Sequence, residues 1–340
     1  MNITATVKIA ITDEEERQIK LIFKNTHYAA YAQYPGFATV IGDNALHILM
    51  HDAATGLLTG YAVADNRKNI LATITFGPIT ANEINLPALT SSCITALQKK
   101  GIKIIRIQPP LVAQTTWGYV IKQLQNRFNC FSLPTELDWS TIVLNIIPSQ
   151  EILLKSFSEN HRRSIKKAIN EELQIQRPFS INEMDDFAEG FCKMYNTRKI
   201  PVNLEHEKNR MKRLYKLIEE DGNGFIMLIK KEGRILGGII LIKENNKIFY
   251  LQGFSDPNFK KIPVNHLLFF KSFEIARSLG YTHFDFGGYG RIGTADEQVL
   301  NINRFKDGFR GKLVNHPDTI LIAKNPFFKI IYQLYTKLKN

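Results

Sequence analysis

Cysteine is nearly absent: three residues in 340, Cys93, Cys130 and Cys192, widely spaced and without a C-x-x-C pair. That excludes a disulfide framework and a cysteine-based zinc knuckle, and it fits a reducing compartment. Negative charge is also in short supply. Forty-four basic side chains face 32 acidic ones, for a formal net charge of +12 and a pI near 9.4. Such an excess favours anionic partners, whether nucleic acid, a phospholipid surface or a phosphorylated substrate. No apolar run approaches the ~20 residues that span a bilayer. The opening MNITATVKIAITDEEERQ lacks the basic and apolar regions of a signal peptide. The expected location is the cytoplasm, with the inner membrane surface as a second place of work. Hydrolase signatures are missing too. There is no G-x-S-x-G, and HILMH, with His47 and His51 four apart, has no glutamate of the H-E-x-x-H kind, so no metal site is expected.

What is present is periodicity. It predicts a helix over 13–25 and paired strands over 57–64 and 69–76, with Asp65 and Asn66 in the turn. A helix over 83–99 stops at Gly101, and a strand over 102–107 is ended by Pro109 and Pro110. Residues 132–140 read as a connector and 141–146 as a strand. The second half opens on one basic helix, 149–172, whose Leu154, Phe157, Ile165, Ile169 and Leu173 recur at helical spacing. Helices at 182–197 and 205–219 follow, then strands at 225–230, 235–243 and 247–254, a helix at 264–279 ending at Gly280, and a strand at 281–286.

LQKKGIKIIRIQPP (97–110) and IARSLGYTHFDFGG (275–288) share the order helix, glycine, strand, loop. Each follows a strand meander, so two copies of a β-β-α-β unit account for the chain. The expected fold class is α/β, with mixed sheets and helices on both sides (α+β character).

Three segments are candidates for chemistry. SENHRRSIKKAINEE gathers Arg162, Arg163, Lys166 and Lys167 within six positions. The stretch is either a solvated helix face or a docking face for phosphates. In GGYGRIG, Gly288, Gly290 and Gly293 match G-x-G-x-x-G after a strand. The following TADEQVLNINRF is a poor start for the helix that a dinucleotide site needs, so a loop rimming a site is expected instead. In FKDGFRGKLV, Lys306 lies between Phe305 and Phe309. Its charge is either partly desolvated and therefore potent, or snorkels to water from an ordinary strand-and-turn segment.

Taken in order, FGPI (76–79), RIQP (106–109), RRSIKKA after a TIVLNI strand, VNHLLFFKSFEIARSLGYTHFDFGG (264–288) and FKDGFRG (305–311) resemble the Fem family of peptidoglycan-bridge aminoacyltransferases. The likeness runs from about residue 28 to 315, and its nearer model is the compact kind of member without a helical hairpin. It implies a tandem duplication of two GNAT-like acyltransferase domains, residues 1–147 and 148–319, with a C-terminal helix, 320–340, packed on the first. It implies transfer of an amino acid from aminoacyl-tRNA, as co-substrate, to an amino group of a muropeptide precursor, UDP-linked or lipid-linked, by a monomer that needs no cofactor. By the same resemblance the pair Phe305-Lys306 is catalytic, the lysine facing the oxyanion. Arg198 and Tyr250 bind the acceptor, and Arg162, Arg163 and Lys166 meet phosphates. Gln108-Pro109 stands where the family often has Asp-Pro, so an acid is missing there. The alternatives are a GNAT-like N-acyltransferase using acyl-CoA on a cell-surface sugar or other amine, and a non-enzymatic basic RNA-binding protein. The last segment, NPFFKIIYQLYTKLKN, has an apolar stripe that suits packing on the first domain or lying on an anionic membrane.

Overall fold

The computed structural model describes residues 2–26, 28, 30–110, 112–133, 140–178, 180–290, 296–325, 327 and 330. The first stretch of chain forms β1 (Ile3–Lys8), α1 (Asp13–Lys24), α2 (Phe37–Ile41), β2 (Ala45–Asp52), β3 (Leu58–Arg67), β4 (Leu71–Ile74), β5 (Ile79–Thr80), α3 (Leu86–Lys99), β6 (Ile104–Ile107), α4 (Gln114–Gln125) and β7 (Cys130–Leu133). The second forms β8 (Ser140–Asn145), α5 (Gln150–Ser156), α6 (Glu159–Ile169), β9 (Gln174–Gln176), α7 (Glu183–Thr197), α8 (Leu204–Tyr215), β10 (Gly224–Lys231), β11 (Arg234–Glu244), β12 (Lys247–Ser255), α9 (Val264–Ser278), β13 (His283–Tyr289), α10 (Glu297–Asp307) and β14 (Lys312–Val314). β15 (Thr319–Ala323) follows.

Two compact units result, Met1–Leu137 with His316–Asn340, and Asp138–Asn315. The first holds the sheet β1-β2-β3-β4-β6-β15-β7, with β5 on β3; the second holds β14-β8-β13-β12-β11-β10-β9. The repeated pattern is real. In each unit an antiparallel meander is followed by a helix and a strand that pairs in parallel with the meander's last strand, β4 with β6 and β12 with β13. The helix ends match as well. Gly101 and Gly280 take φ of +97° and +88°, and the next N–H, of Ile102 or Tyr281, reaches back to Leu97 or Ala276. Glycine allows that left-handed step without strain.

The unit boundary differs from the one expected. β8 lies between β13 and β14 in the second sheet, so that unit starts at 138 rather than 148. Residues 319–323, expected as part of unit two and of a terminal helix, form a strand between β6 and β7. A strand belongs to whichever sheet satisfies its backbone groups, and sequence order does not decide that. Of the rest of the expected C-terminal helix, Lys324 and Asn325 form a bend, Phe327 and Ile330 are described with exposed side chains, and the remaining residues lie outside the described ones. Asp65 and Asn66 fall inside β3. The turn sits at Lys68 and Asn69, both with positive φ. The expected single helix 149–172 is two helices, broken at Phe157, whose backbone is extended. Ser158 starts the second by accepting the His161 N–H.

In the first unit the paired strands stay closed beyond their ends. Gln108 donates its N–H to Ile74 (2.8 Å), and Gly77 donates to Gln108 (3.3 Å). Gln33, fully buried, bridges the neighbouring backbone, donating to Thr75 O (2.7 Å) and accepting the Val63 N–H (2.8 Å). A Cβ on Gly77 would sit 2.6 Å from its carboxamide carbon. Gln33→Leu strands a buried donor and a buried acceptor and is expected to lower the urea-unfolding free energy by about 3 kcal/mol. A loss below about 1 kcal/mol would show that the bridge is dispensable.

Candidate active site

In the second unit the parallel pair behaves differently. β12 and β13 pair only from Lys247 with His283 to Phe249 with Asp285. Past that point β13 bulges against β8, between Asp285 and Gly288, and β12 bulges against β11 near Tyr250. Gly287 sits at the parting with φ +66°, where a side chain would meet the Tyr250 carbonyl at 2.8 Å. The backbone ladder between two neighbouring central strands therefore stops short of their ends, and this break in pairing is the notch at which the site is built.

Lys306 reaches this notch from the last turn of α10. It does not snorkel. It is 6% exposed, and its ammonium donates to the carbonyls of Gly288 and Gly287, the latter at 3.2 Å. Burial pulls its pKa down to about 8, against the opposing pull of the Asp285 carboxylate. Asp285 is itself buried. One oxygen accepts the Thr141 hydroxyl and the Gly287 N–H (2.9 Å), and the other pairs with Lys247 at 2.6 Å. Lys247 also lies 3.4 Å from Glu244. Among these four ionic groups the charges balance. Asn303 clamps Gly290 on both sides, accepting its N–H and donating to its carbonyl. The glycine loop thus rims the notch at Gly288 and Gly290, while its third glycine, Gly293, lies outside the described residues.

The ring of Phe305 packs against Phe269 (5.5 Å), and so does the ring of Tyr250 (4.8 Å). Burial raises the Tyr250 hydroxyl far above its ordinary pKa, with Tyr195 acting in the same direction and Arg198 against it. The Arg198 guanidinium stands 5.9 Å over the Tyr195 ring at the end of α7. Lys306 and the Tyr250 backbone therefore meet at Gly287, Phe305 and Tyr250 share the ring of Phe269, and Arg198 acts electrostatically on the Tyr250 hydroxyl.

The cations of α6 divide. Arg162 is a structural staple that donates to the carbonyls of Phe157 (2.6 Å) and Lys155 (3.2 Å) at the end of α5. Arg163 is exposed and engages Asn160 and Glu159. Lys166 and Lys167 are exposed on the outer face. Sequence reasoning missed Asp285, Lys247, Thr141, His161 and Asn303. Asp285 left one signal, a lone acid inside the apolar strand HFDFGG.

A meander, a helix and a strand that returns parallel to the meander's last strand define the GNAT acyltransferase fold, here in tandem, with the pairing interrupted in the second unit. The acetyltransferase (GNAT) domain family matches residues 155–306. The crystal structure of FemX superposes with a TM-score of 0.76 at 18% identity, over 99% of this chain and 100% of that one. A tandem GNAT protein from the clavulanic acid biosynthesis pathway superposes with a TM-score of 0.59 at 8% identity, over 96% and 99%. In sequence, 161 residues are 24% identical to the lipid II:glycine glycyltransferase of Staphylococcus saprophyticus. That match spans 46% of this chain and 38% of the relative's length. Of the proteins built on a tandem GNAT fold, this chain resembles the Fem family.

Proposed function

We propose that the protein is an acyltransferase that moves an aminoacyl group from the ester of aminoacyl-tRNA to an amino group of a peptidoglycan precursor peptide. The observation that carries this reading is the buried ammonium of Lys306 at the parting of β12 and β13. When an amine attacks an ester carbonyl, the carbon–nitrogen bond forms and the carbonyl oxygen becomes an oxyanion. A fixed cation in a site of low polarity stabilises that charge more than it stabilises the ground state. Collapse of the intermediate breaks the ester carbon–oxygen bond, and one proton passes from the nitrogen to the departing 3′ oxygen. No protein carboxylate is needed at the position of Gln108 for this balance. Arg198 and Tyr250 bind the acceptor, the arginine holding its diphosphate through charge-assisted hydrogen bonds.

The region before α9 supports tRNA over acyl-CoA. A CoA diphosphate is cradled by free N–H groups at a helix start, presented by a glycine-rich loop. Here a short 3-10 turn, Pro257–Phe259, occupies the approach. The Val264 and His266 N–H groups are spent on the Ile262 and Pro263 carbonyls, at 2.8 and 3.1 Å. The likeness to a relative named for its action on lipid II supports a precursor peptide as acceptor. The test supplies the purified protein with charged tRNA and a UDP-linked muropeptide, and in parallel with acetyl-CoA. The expected result is an extended muropeptide only where charged tRNA is present. Saturable CoA binding with turnover independent of tRNA would overturn the reading.

A further inference from the structure

We propose that His161 is the positioning residue for Lys306, fixing the last turn of α10 by a hydrogen bond to the Phe305 carbonyl. This rests on the reading of Lys306 given above. The last carbonyls of a helix lose their own chain's donors. At the end of α10, the Phe309 N–H, which a continuing helix would give to Phe305, turns to Lys306 instead (3.2 Å). The Nε2 of His161 takes its place, 2.8 Å from the Phe305 oxygen. A carbonyl only accepts, so Nε2 carries the hydrogen and Nδ1 accepts from the Ser158 hydroxyl at 3.1 Å. That hydroxyl also accepts the His161 N–H, and the Ser158 N–H donates to Gly308 O at 2.9 Å. The start of α6 and the end of α10 are thus joined at two points, on either side of Lys306.

Packing leaves the imidazole little freedom. It is 6% exposed, edge-on to Phe309 at 4.6 Å and against His266 at 4.5 Å. A Cβ on Gly308 would sit 2.0 Å from the ring, so the glycine exists to admit it. Burial lowers the pKa of both histidines, that of His266 to about 4, which keeps His161 a neutral donor. A lysine whose ammonium must rest on two carbonyls at the notch needs its helix end held within a fraction of an ångström, because small displacements cost large factors in rate.

The test compares wild type with His161→Leu and His161→Gln, the glutamine placing an N–H near the position of Nε2. Aminoacyl transfer is followed together with competitive acetic anhydride labelling of individual lysines across pH, read by mass spectrometry. His161→Leu is expected to lose about tenfold or more in kcat at unchanged KM. It should also move the labelling midpoint of Lys306 upward while leaving that of Lys247 in place. His161→Gln should restore both. A folded His161→Leu with a wild-type Lys306 midpoint overturns the proposal, as does a fall in melting temperature in both variants without change at Lys306. Should wild type transfer nothing from charged tRNA, the proposed function fails, and the labelling alone decides the role of His161.

Discussion

Lys306→Met is expected to slow turnover by about a hundredfold or more, the usual loss when one oxyanion donor is removed, while acceptor binding changes little. Charge and position are both lost, since methionine neither carries the proton nor reaches the Gly287 carbonyl that the ammonium contacts at 3.2 Å. The pH dependence tests the same assignment. Only the protonated amine serves, so the wild-type rate should fall as pH rises through about 8, where the buried group loses its proton. The variant should lack this alkaline limb. Stability should move the other way. The folded pKa lies below that of the unfolded chain, so the cost of the buried charge is present in full below about pH 8. Between there and the ordinary lysine range the unfolded state holds more protons, and wild-type stability rises with pH. Lys306→Met should therefore melt at or above the wild-type temperature at pH 7, and its advantage should shrink as pH is raised past 8. Full activity in the variant would remove Lys306 from the mechanism. A melting difference independent of pH would show that the amine is not desolvated as described.

Asp285→Ala should cost about 3–5 kcal/mol of unfolding free energy in urea, the range for breaking a buried ion pair from one side. The residue is 1% exposed, and its loss strips an acceptor from Lys247 and from the Gly287 N–H and leaves the Thr141 hydroxyl only the Gly287 carbonyl, at 2.9 Å. Glu244, 3.4 Å from Lys247, offsets only part of this. Because Asp285 favours the charged form of Lys306, its removal should also shift the alkaline limb of the rate to lower pH. A loss under about 1 kcal/mol would mean that water or Glu244 replaces it.

Some of the site was visible in the sequence because it depends on local rules. Lys306, between two phenylalanines and followed by two glycines, read in the sequence as either a desolvated or a snorkelling lysine, and the structure buries it. The staple made by Arg162 and the outward face of Lys166 were indistinguishable in the sequence, since RRSIKKA presents them as one charge cluster. The break at Phe157 was hidden for a related reason. Its spacing fits a continuous helix, and what ends α5 there is the demand of that ring for a place among Phe270, Phe273 and Phe309. α10 was hidden by its sparse apolar content; only Asn303 and Lys306 are buried along it, and both are polar.

The sequence by itself determined the two β-β-α-β copies, through side-chain periodicity and the two left-handed glycines that end α3 and α9. These are contacts between near neighbours along the chain, and local spacing dictates them. Only the tertiary structure decided which sheet receives β8 and β15, where β12 leaves β13, and that His161 meets Phe305 across 144 positions of sequence. Backbone groups and buried polar atoms accept any partner of the right geometry. Their pairing is settled by which arrangement of the whole unit leaves the fewest of them unsatisfied.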